Sequence, residues 1–303
     1  MNNMDLHRNL MSLLQLQGIG RKKIMTIVEH ITHPENSTFA EMIEVGRELS
    51  IITDGIGKDA LIQAVSTSDR ILQDNAKNDI KTLSFFDANY PGAFVFEDSP
   101  VLLYYQGDLN ILKMENRAGV IGSRNPSSEG LKFAMNAGEF LAEQGFAVIS
   151  GLATGCDCGA HHGCLKAGGK TLAFLPSGLL NIYPRENIGL ARKILDNNGC
   201  LLSEYSHYEP IHPYKFIERD RLQAATSNFL ITSEFSARSG TIHTLNFAKK
   251  YNKKILSSQM IYERSRGGFQ ELQKKKIPYE ILEVETLHNL IKNYKNNKSF
   301  VFL

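Results

Sequence analysis

Apolar positions in the first quarter of the chain recur at helical spacing. Leu6, Leu10, Leu13 and Leu14 fall three and four apart, and Ile24, Ile27, Val28 and Ile31 repeat the pattern. Gly18-Ile19-Gly20 separates these two predicted helices, and a second pair is expected over 39–49 and 59–74. No strand-like alternation intrudes, so residues 1–74 read as a small helical module. Residues 75–116 form a connecting extension expected to pack on the core, with short strands over 80–85 and 101–105 around the turn Tyr90-Pro91-Gly92.

From Arg117 the rhythm becomes strand, loop, helix. Strands are predicted over 118–122, 146–151, 171–175, 201–204, 228–234, 254–257 and 279–282, with helices over 129–144, 157–167, 188–197, 219–227, 241–251 and 268–276. Short, nearly continuous apolar strands alternating with helices predict an α/β fold, a mostly parallel, Rossmann-like sheet with helices on both faces, over residues 117–283. Residues 284–303 are expected to be a short tail.

A chain of 303 residues is long enough for one large domain with a smaller one beside it. Its 42% hydrophobic and 22% charged residues exclude a disordered or fibrous protein. The net charge of +2 argues against a generally cationic wrapper of nucleic acid and leaves room for a local basic groove. Between 246 and 298 there are 12 Lys and Arg against 5 Glu, so charge is polarised along the chain. No apolar stretch approaches the length of a membrane span and no secretory signal is read. Four cysteines in such a chain are expected to be reduced thiols, which predicts a cytoplasmic protein without membrane contact.

In an open parallel sheet, ligands gather where strands end and helices begin. The first such loop holds Gly122, Ser123, Arg124 and Ser127. It fits neither the dinucleotide fingerprint nor a P-loop, yet it combines a bare backbone, two hydroxyls, a capping serine and a guanidinium. The second holds Gly151, Gly155 and Asp157, as a glycine turn with an acidic cap or as a ligand contact. The third offers Tyr183 for stacking and Arg185 for a phosphate. In Lys215, Phe216, Arg219, Asp220 and Arg221, two arginines at a predicted helix start invite a polyanion, with Phe216 positioned to stack a base. Ser239-Gly240-Thr241 opens a further helix with hydroxyls and N–H groups. The glycine hairpin at 18–20, followed by Arg21-Lys22-Lys23, reads equally as a phosphate contact or as a docking module.

Two catalytic readings are disfavoured. Cys156, Cys158 and Cys164 with His161 and His162 match no common zinc spacing, so no metal is expected. Ser150, His161 and Asp157 lack a nucleophile elbow.

In order along the chain, these motifs resemble the DNA-processing protein A (DprA, or Smf) family. They are the Gly-Ile-Gly hairpin, Tyr90-Pro91, Pro100-Val101-Leu102, the loop from Gly122 to Gly130, the stretch from Ser150 to His161, Tyr183-Pro184 with Asn187, Ser203-Glu204, Phe216 with Arg219 and Arg221, and Ser239-Gly240-Thr241 with Thr244. The resemblance implies a dimeric, non-catalytic, cofactor-free protein with a Rossmann-like core that protects incoming single-stranded DNA in natural transformation and loads RecA recombinase onto it. By the same resemblance, Gly122, Ser123, Arg124, Ser127, Lys215, Phe216, Arg219, Arg221, Ser239, Gly240 and Thr241 would carry the DNA. Asp220 stands where the family has Asn, placing an acid beside the expected phosphate path. The alternative is a nucleotide sensor or phosphoribohydrolase-like enzyme on the same core. Such enzymes carry a glutamate three residues after the Gly-Thr pair, where this chain has Thr244.

Overall fold

The computed structural model describes residues 4–296. Four helices come first: α1 (Met4–Leu14), α2 (Arg21–Glu29), α3 (Phe39–Glu48) and α4 (Lys58–Lys77). Their three-and-four spacing gathers Leu6, Leu10, Leu13, Ile24, Ile27, Val28, Met42 and Ile43 into one apolar cluster. Thr38 and Glu41 close α3 with a reciprocal capping box.

The connecting segment contributes β1 (Lys81–Ser84) and β2 (Leu102–Gly107), and β3 (Arg117–Ile121) begins the alternating part. Then come α5 (Ser128–Glu143), β4 (Ala147–Ser150), α6 (Cys156–Lys166), β5 (Thr171–Phe174), α7 (Ile188–Asp196), β6 (Cys200–Ser203), α8 (Pro213–Thr226), β7 (Phe229–Thr232), α9 (Thr241–Lys250) and β8 (Lys254–Ser258). The last elements are α10 (Gln259–Arg264), α11 (Arg266–Lys274), β9 (Glu280–Leu282) and α12 (Val284–Asn296).

All nine strands form one sheet in the order β1-β2-β6-β5-β4-β3-β7-β8-β9. From β6 to β9 every pairing is parallel, whereas β1–β2 and β2–β6 are antiparallel. The strands alternate residues between two buried faces. Val148 joins the cluster that includes α5, α9 and α12, while Ala147 and Ile149 join the one that includes Leu222 of α8. This is why the strands read as continuous apolar runs.

Two expectations need correction. The segment 75–116 does more than pack on the core, because its strands extend the sheet itself, pairing Tyr104 with Ser203 of β6. The stretch from 284 is not a bare tail through 296, because α12 buries Leu287 and Ile291 in the core and stacks His288 on Phe140 with ring centroids 3.8 Å apart. The remainder of that expected tail, 297–303, lies outside the described residues, as do 1–3 of the helical module.

The helical module is clipped to the sheet. His7 bonds Thr82 through Nδ1 (2.7 Å) and Asp87 through Nε2 (2.9 Å), while Arg21 pairs with Glu218 of α8 and lies 3.9 Å from Asp98. Arg21, next to the glycine hairpin, is thus engaged at an internal contact. No helix among the described residues is long and apolar enough to cross a membrane.

A candidate nucleic-acid interface at the carboxyl edge of the sheet

β3 lies between β4 and β7, and the chain leaves it first toward β4 and later returns on the other side as β7. Strand order reverses at that point, which opens a crevice beyond the carboxyl ends of β3 and β7. The loop after β3 and the loop before α9 form its walls. Ser123 donates its backbone N–H to the carbonyl of Glu234 (2.7 Å), tying the two loops together. Ser127 is the N-cap of α5, accepting from the Gly130 N–H, and its own hydroxyl donates to the Glu234 carboxylate. Across the crevice, Thr241 donates its N–H to Ser239 Oγ (3.2 Å), and the two hydroxyls lie 2.8 Å apart.

A cavity of about 300 Å³ occupies this crevice. Gly122, Ser123, Arg124, Arg219, Ser239, Gly240 and Thr241 all line it, so residues more than a hundred positions apart in sequence meet at one spot. A second cavity of about 190 Å³ adjoins it, sharing Arg124 and Arg219 and bounded by Tyr183 and Phe216. The rings of Tyr183 and Phe216 meet edge to face at 5.5 Å, and the exposed guanidinium of Arg124 lies over Phe216, 4.9 Å from its centroid. A cationic, donor-rich pocket beside an aromatic one suits a phosphate and its base.

Helix α8 positions Arg219 between them. Pro213 is in the first turn of α8, well before the predicted start, so Arg219 and Arg221 fall in its second and third turns rather than at its beginning. At roughly 100° per residue they point to opposite sides. Arg219 turns toward the crevice and is itself buried: its Nη1 donates to the carbonyls of Phe174 (2.9 Å) and Gly151, and its Nε lies 3.1 Å from Asp220. Gly151 permits this approach, since a Cβ there would collide with the guanidinium. The amide of Gln223, oriented with its oxygen toward Arg219, accepts from Nη1 and Nε at 3.0 and 3.1 Å.

Arg221 and Lys215, also expected to carry the DNA, line neither cavity. Arg221 is fully buried, pairs with Glu204, lies 3.5 Å from Glu218 and faces the ring of Phe96. Lys215, 2% exposed, is held by Glu209 at 2.8 Å over the Tyr205 ring. These cations have carboxylate partners inside the fold and stand away from the crevice.

The crevice contains acids as well. Asp157 and Asp220 both line it and are buried. Burial raises the Asp157 carboxyl above the usual carboxylate range against the opposing pull of Arg219 and Arg124. Burial, reinforced by Asp157, pushes Asp220 up to about 7 even with Arg219 and Arg124 nearby. Both carboxyls are thus easier to protonate than an ordinary aspartate. Gln223, Asn125, Ser236 and Thr244 also line it and were not singled out as contacts from the sequence. Gln223 carried a usable signal, since it sits one helical turn after Arg219.

The cysteine–histidine cluster has other roles. Cys156 and Cys164 are buried free thiols, and His161 Nδ1 lies 2.7 Å from Thr171 Oγ1 in the core. Burial lowers the His161 pKa to about 3. Among the described residues no group of three or more His, Cys, Asp or Glu side chains could hold a metal ion.

The profile of the family described as DNA recombination-mediator protein A matches residues 81–292. A Smf protein from Synechocystis is 27% identical over 252 residues, 80% of this chain and 62% of its own length. The DNA processing proteins DprA of Bacillus subtilis (28% over 189 residues) and Streptococcus pneumoniae (35% over 160) align over 62% and 53% of this chain and 63% and 56% of their own. The chain thus spans about three-fifths of these relatives. Among solved structures, S. pneumoniae DNA processing protein A superposes over 100% of this chain and 99% of its own (TM-score 0.75, 22% identity), sharing the fold. The Helicobacter pylori protein superposes over 71% of this chain and 97% of its own (TM-score 0.63, 29% identity). With its profile match running from β1 into α12, this chain belongs to the DNA recombination-mediator protein A family, the DprA/Smf proteins.

Proposed function

We propose that the protein binds single-stranded DNA along the carboxyl edge of its sheet, in the cytoplasm and without making or breaking bonds. Phosphates lie against Gly122, Ser123, Arg124 and the Ser239-Gly240-Thr241 turn, with Arg219 supplying charge from beneath. Phe216 and Tyr183 stack a base. Ser127 shapes the first loop through its cap and its bond to Glu234. The observation that carries this reading is the convergence of two anion-friendly loops and a buried arginine on one crevice, with an aromatic pocket adjoining it. The H. pylori relative, described for its single-stranded DNA binding mode, supports the same ligand. In this reading the bound strand is protected and passed to RecA recombinase, with two copies of the chain acting together; the description of the family as a recombination mediator fits a role in recombination.

The nucleotide-processing alternative is weaker, because the position that would supply its glutamate is Thr244, a buried hydroxyl on the crevice wall. Fluorescence anisotropy with oligo-dT and with a duplex of equal length tests the reading. Tighter binding of the single strand is expected, and preference for the duplex would overturn it. Release of free base from nucleoside monophosphates would instead favour the enzyme.

A further inference from the structure

A second concentration of positive charge lies at the opposite end of the same strands. Arg117 opens β3 and Lys253 immediately precedes β8, so both sit at the amino edge. The five residues of β3 put this edge about 13 Å from the crevice. Arg117 donates Nε to the Thr226 carbonyl (2.8 Å) and Nη1 to the Met114 carbonyl, which orient the guanidinium without neutralising it. Both cations line a cavity of about 390 Å³ together with Asn252, and among the described residues neither forms an ion pair with a carboxylate. Burial lowers the pKa of each, and Arg117 lowers that of Lys253 further.

The carbonyl end of α9 explains one cation at this place. It does not explain a second behind it, since two half-buried like charges without a counter-ion are unfavourable until an anion joins them. A groove of about 660 Å³ shares Asn252 and Lys253 with the cavity and is lined further by Lys249, Lys276, Pro278, Tyr279 and Glu280, whose carboxylate is paired with Lys254 at 3.0 Å. Together these volumes suit a small organic anion.

We propose that the amino edge is a second anion site, in which Arg117 and Lys253 hold the phosphate of a nucleotide-sized ligand whose apolar part lies along Pro278 and Tyr279. The phosphate could belong to a free nucleotide or to the 5′ end of a DNA strand, and the chemistry is the same. The site is independent of the carboxyl-edge crevice and does not rest on the function assigned to it.

Calorimetric titration of the full chain with ADP, and separately with 5′-phosphorylated and 5′-hydroxyl oligo-dT, tests this. Lys253→Met, which keeps the stem and removes the charge, is expected to weaken ADP binding by about tenfold, the scale of one charge-assisted hydrogen bond. The component of ADP binding that Lys253→Met removes should persist in Arg124→Ala. Should Lys253→Met fail to fold, the exposed Lys276→Gln is expected to weaken ADP binding severalfold. ADP binding that is lost in Lys253→Met identifies a free nucleotide as ligand. A preference for the 5′-phosphorylated oligonucleotide that is lost in Lys253→Met identifies the strand end. Overturning results are ADP binding that is insensitive to both lysine changes, binding abolished by Arg124→Ala, or no response to either phosphate source.

Discussion

The Arg124 guanidinium lies over the face of Phe216, 4.9 Å from its centroid, joining the loop after β3 to the start of α8. One side chain is a cation free for a phosphate, and the other is a ring with room for a base. Because Arg124 is exposed, the contact itself contributes only about 0.5–1 kcal/mol to the fold.

Arg124→Ala is therefore expected to weaken oligo-dT binding while leaving the thermal midpoint nearly unchanged. Phe216→Ala removes a stacking surface worth about 1–3 kcal/mol per base and should weaken binding by about tenfold or more. Anisotropy and a thermal melt on each variant check both. Wild-type affinity in either would remove that residue from the interface.

The acids in the crevice predict that DNA binding depends on pH. A phosphate beside Asp220 disfavours its ionised form, so binding takes up a proton. Affinity should rise as pH falls from about 8 through the Asp220 pKa of about 7. Asp157, also raised, works in the same direction, and Arg219 and Arg124 oppose it. The fold follows the same sign. Between the ordinary Asp value of 3.8 and about 7 the native state holds the extra proton, so this group's contribution to stability declines as pH rises through that window. Asp220→Asn should bind more tightly at pH 8 and flatten the profile. An unchanged profile would place the charge switch elsewhere.

The burial of Arg221 predicts that it serves the fold rather than the interface. It is fully buried and paired with the largely buried Glu204, and removal of one partner of a buried pair costs about 3–5 kcal/mol. Arg221→Ala should lower the midpoint of unfolding strongly while the protein that remains folded binds oligo-dT as before. A stable variant with lost binding would reverse that assignment.

Gly151→Ala tests how Arg219 is held. The added methyl would occupy the place of the guanidinium, so both stability and binding should fall. Unchanged binding would show that Arg219 does not contribute to the crevice.

The loop residues that were legible in the sequence share one property: local chain geometry fixes where they point. Gly122, Ser123 and Arg124 follow a strand directly, and Ser239-Gly240-Thr241 leads directly into α9, so strand order alone brings them together. Lys215 and Arg221 fall outside the crevice because their direction depends on helix phase. Once Pro213 is recognised in the first turn of α8, arginines two apart cannot share a face. Their carboxylate partners, Glu204 and Glu209, lie just upstream in the segment between β6 and α8, but spacing alone does not show that this segment folds back onto the helix. The same holds for α12. Leu287 and Ile291 are spaced as a helix face, but the lysine- and asparagine-rich composition around them obscures it.

The most direct test of a cationic crevice gripping an unpaired strand is oligo-dT affinity measured across a salt series for wild type and Arg124→Ala. The wild-type affinity should fall linearly on logarithmic axes, and losing one phosphate contact should make the slope shallower by about 0.7. Absence of binding at low salt, or identical slopes for the two proteins, would contradict the account.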